Sequence, residues 1–413
     1  MKNYLLPLLL CLIPLNVFSQ DSGFDNFDLF GEVEAKEGAS AKDGEKRYRI
    51  PNVIYNFSIQ HETESTEYHP PFLTKRGNYR KIKEITGNGK GIKVCVIDTG
   101  VDQTHARVGG DLELYNPNRP TSTWAVKKAK DFSNSRRSGF WDPKSGHGSH
   151  VASMIGARAN GLGIEGIASE CELYVAKALG DDGYGSDTGI AAAVDWAIQE
   201  KVHIINMSLG GGFSQRIENA VKRATDAGII VFAALGNSGE KGDGHPGNSN
   251  FSLGIAAVDY NQQIAPFSSR SKVADLSGYG VNVFACISNG RYAALSGTSM
   301  ATPDQAGLAA LVLSHQLKLT GKVLTVKEYV NIIYDHVEDL GPKGRDREYG
   351  FGFFNIQSYL DANTGEKPNA PELPTKPDSP KPLPENPLKD YRVIGGLDWE
   401  GKELLFLEKK QND

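Results

Sequence analysis

The strongest constraint on the fold is an alternation of short apolar runs with amphipathic helical periods from residue 91 onward. Three runs have the length of buried strands, at 92–97, 202–207 and 229–234. Between them, one helix is predicted to start near Ser186 and another near Ser214, the second ending at Gly228. This order favours parallel βαβ units. We therefore predict an α/β fold with a doubly wound, mostly parallel sheet and helices on both faces.

The remainder of the 413-residue chain is predicted to form appendages to this domain. The stretch 366–388 holds eight prolines in 23 residues, which predicts an extended spacer rather than a packed core. Alternating apolar and polar residues beyond it predict a C-terminal β-hairpin. The predicted units are a signal peptide at 1–19, a short and partly disordered N-terminal segment at 20–85, the main domain at 86–362, a Pro-rich linker at 363–388 and a small β appendage at 389–413.

The N-terminus predicts export. A lysine at position 2 precedes an apolar run at 4–18 that two prolines interrupt and that is too short to span a bilayer. Small residues predict cleavage after Ser19, and an alternative interpretation makes Cys11 a lipoprotein anchor. No later segment is apolar enough to be expected to cross a membrane. A net charge of −5 gives no reason to expect a nucleic-acid partner.

The cysteines do not predict a disulfide framework or a zinc site. Without Cys11, the three that remain are Cys95, Cys171 and Cys286. An odd number in an exported chain leaves at least one thiol outside an intramolecular disulfide. Cys95 lies in an apolar strand run and is expected to be a small core residue.

A candidate nucleophile lies at 297–303, where Ser299 stands between small residues ahead of an alanine-rich run. We predict Pro303 in the first turn of a helix, the helical place that tolerates a missing N–H. Ser299 would then lie near exposed N–H groups and the positive end of the helix dipole, which suits an oxygen that attacks a carbonyl. The alternative is an ordinary helix-capping serine.

A candidate acid and a candidate base occur earlier in the chain. Asp98 ends the first buried run, where a carboxylate needs a cationic or hydrogen-bonding partner; the alternative is a turn residue. His147 lies between two glycines, which we interpret as space for a base that a substrate contacts. His150 suits capping or packing, although His147, His150 and Asp98 together would suit a metal-dependent hydrolase.

An oxyanion donor is predicted at the end of the third run. Asn237 follows that strand beside glycines, where its amide can donate toward a developing negative charge. The alternative is an asparagine that forms a turn.

Five blocks, in the order VCVIDTGVD, GHGSHVA, NMSLGGG, ALGN and GTSMATP, resemble the signature blocks of subtilisin-like serine proteases from about residue 90 to 356. The order Asp98, His147, Ser299 is also that of the subtilisin triad. The resemblance implies an exported serine endopeptidase that acts on proteins or peptides through an acyl-enzyme, with no cofactor required for the chemistry and with the chain a monomer. It also implies an oxyanion hole formed by Asn237 and the Ser299 N–H.

The resemblance further implies a substrate groove with two walls and a floor. The residues concerned are Ser208, Leu209 and Gly210 on one wall, Ala234, Leu235 and Gly236 on the other, and Gly244 at the floor. Small residues there predict a pocket for a large uncharged side chain. The segment 20–85 occupies the place of an inhibitory propeptide, so the chain's own N-terminal segment is an expected inhibitor of a zymogen, with 46–60 in contact with the protease domain.

Two departures from the family pattern keep an alternative function open. Asp304 and Gln305 follow Pro303 where relatives usually have His-Val, which favours a catalytically weak binding or regulatory protein as the alternative. Arg107 falls where many relatives have a calcium-binding carboxylate, although the loop 160–164 is retained. A cation there opposes Ca²⁺, so we expect that usual calcium site not to be used.

Overall fold

The computed structural model describes residues 45–50, 54–59, 79–107, 110–118, 124–134, 139–161, 163–364, 391–397 and 403–409, and at 54–59, 391–397 and 403–409 it describes the backbone alone. The predicted signal peptide, Cys11 and most of the Pro-rich linker lie outside these residues. Among the described residues, no helix is both long and apolar enough to cross a bilayer.

The described strands and helices alternate along the main domain. The strands are β1 (Arg47–Arg49), β2 (Ile54–Ile59), β3 (Lys93–Asp98), β4 (Val126–Asp131), β5 (Glu172–Lys177), β6 (Tyr184–Ser186), β7 (Ile204–Met207), β8 (Gly210–Gly211), β9 (Ile230–Ala234), β10 (Leu253–Val258), β11 (Leu276–Tyr279), β12 (Val283–Ile287), β13 (Arg291–Ser296), β14 (Val337–Glu338), β15 (Phe353–Phe354), β16 (Tyr391–Leu397) and β17 (Glu403–Lys409). The helices are α1 (Tyr79–Thr86), α2 (His147–Gly156), α3 (Asp187–Gln199), α4 (Gln215–Asp226), α5 (Thr298–Thr320), α6 (Val326–Asp335) and α7 (Ile356–Thr364), with a 3₁₀ turn at Gly239–Lys241.

A nine-stranded sheet forms the centre of the molecule, in the order β14-β15-β11-β10-β9-β7-β3-β5-β4. Every neighbouring pair is parallel except β14–β15 at one edge. From β3 the chain runs to the edge strand β4, returns to β5 between them, and then continues on the other side of β3 at β7. The prediction of a doubly wound, mostly parallel sheet is confirmed, and reactive groups are expected where the strand order reverses, at the carboxyl ends of β3 and β7.

Both faces of the sheet are buried, as the continuous apolar runs require. Along β3, Val94 and Val96 join one apolar cluster, while Cys95 and Ile97 join the other. Helices α2 and α5 pack on the first face, and α3 and α4 contribute to the second cluster. The two predicted helix starts are confirmed, because the Ser186 hydroxyl accepts the Gly189 N–H and the Ser214 hydroxyl accepts the Ile217 N–H.

Two smaller sheets bring the N-terminal and C-terminal segments onto the domain. One has the order β6-β1-β8 and the other β12-β13-β2-β17-β16. β1 pairs antiparallel with both neighbours, and β2 pairs antiparallel with β13, the strand that leads directly into α5. The hairpin β16–β17 joins the second sheet through β2. Cys95, Cys171 and Cys286 are free and buried.

Candidate active site

Asp98 and His147 meet at the carboxyl end of β3. The Nδ1 atom of His147 lies 2.8 Å from Asp98 Oδ1, and both side chains are fully buried. The Thr99 N–H also donates to Asp98 Oδ1 at 2.7 Å. A carboxylate held in this way keeps the proton of the imidazole on Nδ1 and leaves Nε2 as the basic nitrogen.

The glycines beside His147 permit close backbone contact, which differs from the interpretation that they make room for a substrate. A Cβ at Gly148 would lie 2.2 Å from the Gly100 carbonyl oxygen, and one at Gly146 would lie 2.5 Å from the Ser288 nitrogen. Gly146 also has a positive φ of 70°. The start of α2 is therefore packed tightly against neighbouring loops, and this fixes the position of His147.

Ser299 is the second residue of α5, which follows Gly297 as the N-cap residue with no side-chain cap. The prediction that Pro303 lies in the first helical turn is wrong, because the helix begins at Thr298 and Pro303 is inside it. A proline there has no N–H for the carbonyl four residues earlier, which is that of Ser299. The Ser208 hydroxyl replaces this donor at 2.8 Å. Ser208 thereby attaches the groove wall to the serine helix.

The Ser299 hydroxyl lies beside the same wall. Its Oγ donates to the Ser208 carbonyl oxygen at 3.3 Å, and Ser299 is fully buried. Within the described part of the chain, His147 Nε2 makes no hydrogen bond. Bonds between nucleophile and base are often long in proteins without substrate and tighten when one binds.

Asn237 is positioned by the first residue of α5. Its Oδ1 accepts both the N–H and the hydroxyl of Thr298, each at 2.9 Å. These bonds identify Oδ1 as the acceptor end of the amide, so Nδ2 is the donor end; it lies near Gly297, where a Cβ would be 3.1 Å from it. The side-chain amide and the start of α5 are thus held together.

The predicted walls of the groove adjoin one another through Gly244. Its N–H donates to the Leu235 carbonyl at 2.9 Å, and a Cβ added to it would come within 3.9 Å of Gly210 Cα. Leu209 and Leu235 point into apolar clusters and are fully buried. These two leucines can line a groove only with their backbone, and Ala234 ends β9 beside them. Gly236 has a φ of +110°, which favours glycine there.

His150 belongs to the packing of the domain. Its Nε2 lies 2.8 Å from the Val283 carbonyl and 3.3 Å from that of Ala293. Burial, with a smaller effect of His147, lowers the pKa of His150 to about 3. A buried imidazole whose Nε2 faces two backbone carbonyls is explained by packing, and these contacts do not support the alternative in which His147 and His150 bind a catalytic metal.

Asp304 and Gln305 attach α5 to β11. Both are fully buried. Asp304 Oδ2 accepts the Tyr279 N–H at 3.1 Å, and Gln305 Nε2 donates to the Ser277 carbonyl at 2.9 Å and to Asp304 Oδ2 at 3.3 Å. This departure from the family pattern thus forms its own hydrogen-bond network that holds the serine helix on the sheet.

The carboxylate beside the retained loop is Asp111, four residues after the exposed Arg107. Asp111 accepts the Tyr292 hydroxyl at 2.6 Å and, at 3.4 Å each, the Cys286 thiol, the Asn160 amide and the Ile164 N–H. Calcium takes six to eight oxygen ligands. A carboxylate surrounded by a phenol, a thiol and N–H donors does not fit that set, so we derive no role for calcium from it.

Three residues that the sequence reasoning missed support the acid and the base. The Thr99 hydroxyl donates to Asp142 and accepts the Gly148 N–H at 2.9 Å. Burial raises the pKa of Asp142 to about 6, against the Thr99 hydrogen bond and the charge of Lys177. Lys177, also buried, donates to the Thr99 carbonyl at 2.6 Å. Asp142 lies five residues before His147, but such spacing alone carries no signal for this role.

A comparison with models of known protein families shows to which family the chain belongs. The family model described as "Subtilase family" matches residues 89–352, more than half of the chain. The chain belongs to the subtilase family. The match spans β3, α2, the groove strands and α5, and so includes every residue of the site described above.

Individual relatives of this subtilase are bacterial proteases. The chain is 40% identical over 228 residues to the thermostable alkaline protease of Halalkalibacterium halodurans, covering 55% of this chain and 58% of that one. It is 34% identical over 276 residues to subtilisin E of Bacillus subtilis, covering 65% of this chain and 66% of that one. Subtilisin BL of Lederbergia lenta is 38% identical over 230 residues, covering 54% and 77%. The chain therefore spans less than two thirds of the length of the first two relatives.

Proposed function

We propose that this subtilase is a serine endopeptidase that hydrolyses peptide bonds of proteins through an acyl-enzyme. The observation that carries the proposal is the buried hydrogen bond of 2.8 Å between His147 Nδ1 and Asp98 Oδ1, next to a serine at the start of a helix. A carboxylate that holds the tautomer of an imidazole is the arrangement required of a general base. The family and the protease names of its relatives support the same activity.

In the proposed first step, Ser299 Oγ attacks the substrate carbonyl carbon while its proton passes to His147 Nε2. Asp98 then stabilises the imidazolium through the Nδ1–H bond. When the tetrahedral intermediate collapses, the C–N bond breaks and the leaving amine takes the proton from Nε2. Water repeats the sequence on the ester: it gives a proton to Nε2, attacks the acyl carbon, and the proton returns to Ser299 Oγ as the acid product leaves.

The negative charge on the substrate oxygen is proposed to be stabilised by two donors. The Thr298 N–H and hydroxyl both donate to Asn237 Oδ1, and this orients the Nδ2 end of the amide as the proposed donor. The Ser299 N–H is among the first N–H groups of α5, which have no partner within a helix. Donors fixed in advance at a developing charge stabilise the transition state more than the ground state. No metal is needed in these steps.

A fluorophosphonate probe separates this function from that of a catalytically silent binding protein. An activated Ser299 displaces fluoride and forms an Oγ–P bond, so we expect labelling of the 299-containing peptide in mass spectrometry. The labelling is expected to be unchanged by a chelator, because the chemistry needs no metal. A folded protein without label would contradict the protease proposal, and activity that a chelator abolishes while the serine-directed probe leaves it unchanged would favour the metal-dependent alternative.

We also propose export and autoinhibition by the N-terminal segment, with the chain as a monomer. The apolar N-terminal run at 4–18 supports export. β1 fills the gap between β6 and β8, with Tyr48 opposite both Gly185 and Gly211. On the other side of the serine, Ile54 of β2 pairs with Ser296, three residues before Ser299. The pairing of β1 with β8 and of β2 with β13 supports the proposal that the N-terminal segment blocks the groove.

Self-processing is expected from this placement. β1 pairs with β8, two residues after Ser208, and β2 pairs with β13, which leads into the serine helix, so we expect cleavage between Ile50 and Ile54 when the protein is produced. Mass spectrometry of the purified wild-type protein should give a new N-terminus between positions 51 and 54. The Ser299→Ala variant should keep the segment and lose it when wild-type protease is added. If wild-type protein and Ser299→Ala had the same N-terminus before any protease was added, the cleavage would be due to a protease of the expression host.

A further inference from the structure

The pocket that holds Tyr48 has a polar floor that the serine chemistry does not use. Tyr48 is 1% exposed, although it lies on a three-residue strand at the surface of the domain. A Cβ at Gly211 would come within 2.9 Å of Tyr48 Cδ1, so the glycine provides the space for the ring. His245 lies edge-on to the ring, with centroids 6.3 Å apart. The pocket therefore accepts a flat aromatic side chain.

The phenol hydroxyl is bound at two points. Tyr48 Oη donates to the Gly212 carbonyl at 2.6 Å and lies 3.1 Å from His245 Nδ1. The other nitrogen of that ring, Nε2, lies 3.0 Å from Glu218 Oε2. Both His245 and its contact with Tyr48 are buried. A phenylalanine in this pocket would leave the Gly212 carbonyl and the imidazole without these bonds, at a cost in binding.

The count of protons links this contact to the charge of His245. A hydroxyl has one proton, and a carbonyl oxygen accepts only, so the proton of Tyr48 faces Gly212. The 3.1 Å contact then needs a proton on Nδ1, while the carboxylate of Glu218 needs one on Nε2. An imidazolium satisfies all three contacts at once. A neutral ring with its proton on Nε2 satisfies Glu218 but sets the Gly212 carbonyl and Nδ1 in competition for one phenolic proton.

The charged groups around His245 act in opposite directions. The pKa of His245 is lowered overall, because burial and the charge of Lys46 outweigh the hydrogen bond and charge of Glu218, which raise it. Lys46 belongs to the N-terminal segment and would be absent when a substrate occupies the groove. Asp187 acts on the phenol and is itself paired with Arg216 at 2.7 Å. Burial raises the pKa of Tyr48, so a phenol in this pocket stays protonated across the neutral range.

The register of β1 with β8 gives the position of this pocket along a substrate. Arg49 lies opposite Gly210 and Tyr48 opposite Gly211, in antiparallel pairing. Ser208, whose carbonyl contacts Ser299 Oγ, lies three residues before Gly211 in the chain. A peptide that pairs with β8 in the same register presents to Ser208 the residue that comes three positions after its aromatic one. The bond expected to break follows that residue.

We propose that His245 is a specificity determinant, supported by Glu218 and acting together with the Gly212 carbonyl. It selects tyrosine over phenylalanine at the substrate position three residues before the one on the acyl side of the cleaved bond. This selection strengthens as the pH falls. The proposal rests on the proposed protease function. The direction of this pH dependence follows from the number of protons bound, because tyrosine binding with both contacts takes up a proton at His245. Phenylalanine binding makes no such demand.

The test uses the mature wild-type protease and peptides that differ only at this position, which carries tyrosine, phenylalanine or O-methyltyrosine. We expect the ratio of kcat/KM for tyrosine over phenylalanine to be about threefold near pH 8 and about tenfold or more near pH 6, as neutral and charged hydrogen bonds differ. O-Methyltyrosine, which cannot donate to Gly212, should be cleaved no better than phenylalanine. The His245→Gln variant should give a ratio that does not change with pH, and Glu218→Gln should reduce the change.

The outcomes separate the two proposals. A ratio near one at every pH, or O-methyltyrosine cleaved as well as tyrosine, overturns the inference and leaves the protease function intact. A pH-dependent ratio that survives in His245→Gln also overturns it. Cleavage of none of the peptides, together with no cleavage of an unfolded protein, overturns the protease function itself. Because the O-methyltyrosine comparison needs only the wild-type protein, the result does not depend on whether a variant folds.

Discussion

Replacing Ser299 with alanine is expected to lower kcat/KM on an unfolded protein substrate by about 10⁴- to 10⁶-fold. The change removes the atom that forms the acyl-enzyme and leaves the oxyanion donors and the groove in place. It should also leave the fold intact, because among the described residues Ser299 Oγ makes only the long bond of 3.3 Å to the Ser208 carbonyl. Initial rates of substrate hydrolysis and a thermal unfolding curve of the same preparation measure both effects.

A matched control lies on the same helix. Ser314 is buried and donates to the Lys90 carbonyl at 3.0 Å, at the end of α5 remote from the serine site in sequence. Ser314→Ala is therefore expected to reduce thermal stability by about 1 kcal/mol, as the loss of one hydrogen bond does, while turnover is unchanged. Turnover by Ser299→Ala within tenfold of the wild-type rate would contradict the proposed role of this serine.

The sheet was predictable from sequence because burial on both faces leaves a continuous apolar run. The predicted run 229–234 corresponds to β9, and the run 202–207 contains β7. The starts of α3 and α4 were also predictable, because capping serines at 186 and 214 act locally through hydrogen bonds to N–H groups three residues later. Patterns of this kind depend on residues close together in the chain and can therefore be recognised from the sequence alone.

Contacts between distant segments were the part that sequence patterns could not supply. Pro303 suggested a later helix start, and only the Ser208 hydroxyl on the Ser299 carbonyl explains how the proline is tolerated inside α5. The glycines beside His147 were interpreted as room for a substrate, whereas they allow backbone approach to Gly100. Both errors have the same physical origin: the deciding atom belongs to a residue tens of positions away in the chain.

The hydrogen-bond partners of the polar residues around the site could not be predicted from the sequence either. Asp304 and Gln305 depart from the family pattern because their partners are backbone groups of β11, the Tyr279 N–H and the Ser277 carbonyl. A pattern of side chains in the sequence cannot predict such partners. The carboxylate beside the loop 160–164 is that of Asp111, and its contact with the Ile164 N–H joins residues 53 positions apart in the chain. The resemblance to a family indicated which residues form the site, but the hydrogen bonds that orient them required three-dimensional coordinates.

The second large effect is expected from Asp98→Asn, with kcat falling by about 10⁴-fold. Asp98 Oδ1 accepts from His147 Nδ1 at 2.8 Å and from the Thr99 N–H at 2.7 Å. An asparagine with its oxygen at the Oδ1 position keeps both bonds but loses the negative charge that stabilises the imidazolium, and one that turns its NH₂ group toward Nδ1 moves the imidazole proton to Nε2. That tautomer cannot accept the proton of Ser299. Steady-state turnover near neutral pH measures the loss, and fluorophosphonate labelling should slow in parallel.

Asp142→Asn is the control that distinguishes this mechanism from loss of a buried carboxylate. Asp142 is also fully buried, and it contacts the Thr99 hydroxyl rather than the histidine. An amide there keeps the Oδ1 atom that accepts the Ser145 N–H at 2.9 Å, so we expect less than about a tenfold loss of turnover. Since burial raises the pKa of Asp142 to about 6, any effect of the substitution should be smaller below that pH, where the wild-type group is itself neutral. Equal losses in the two variants would assign the effect of Asp98 to packing instead of to the histidine tautomer.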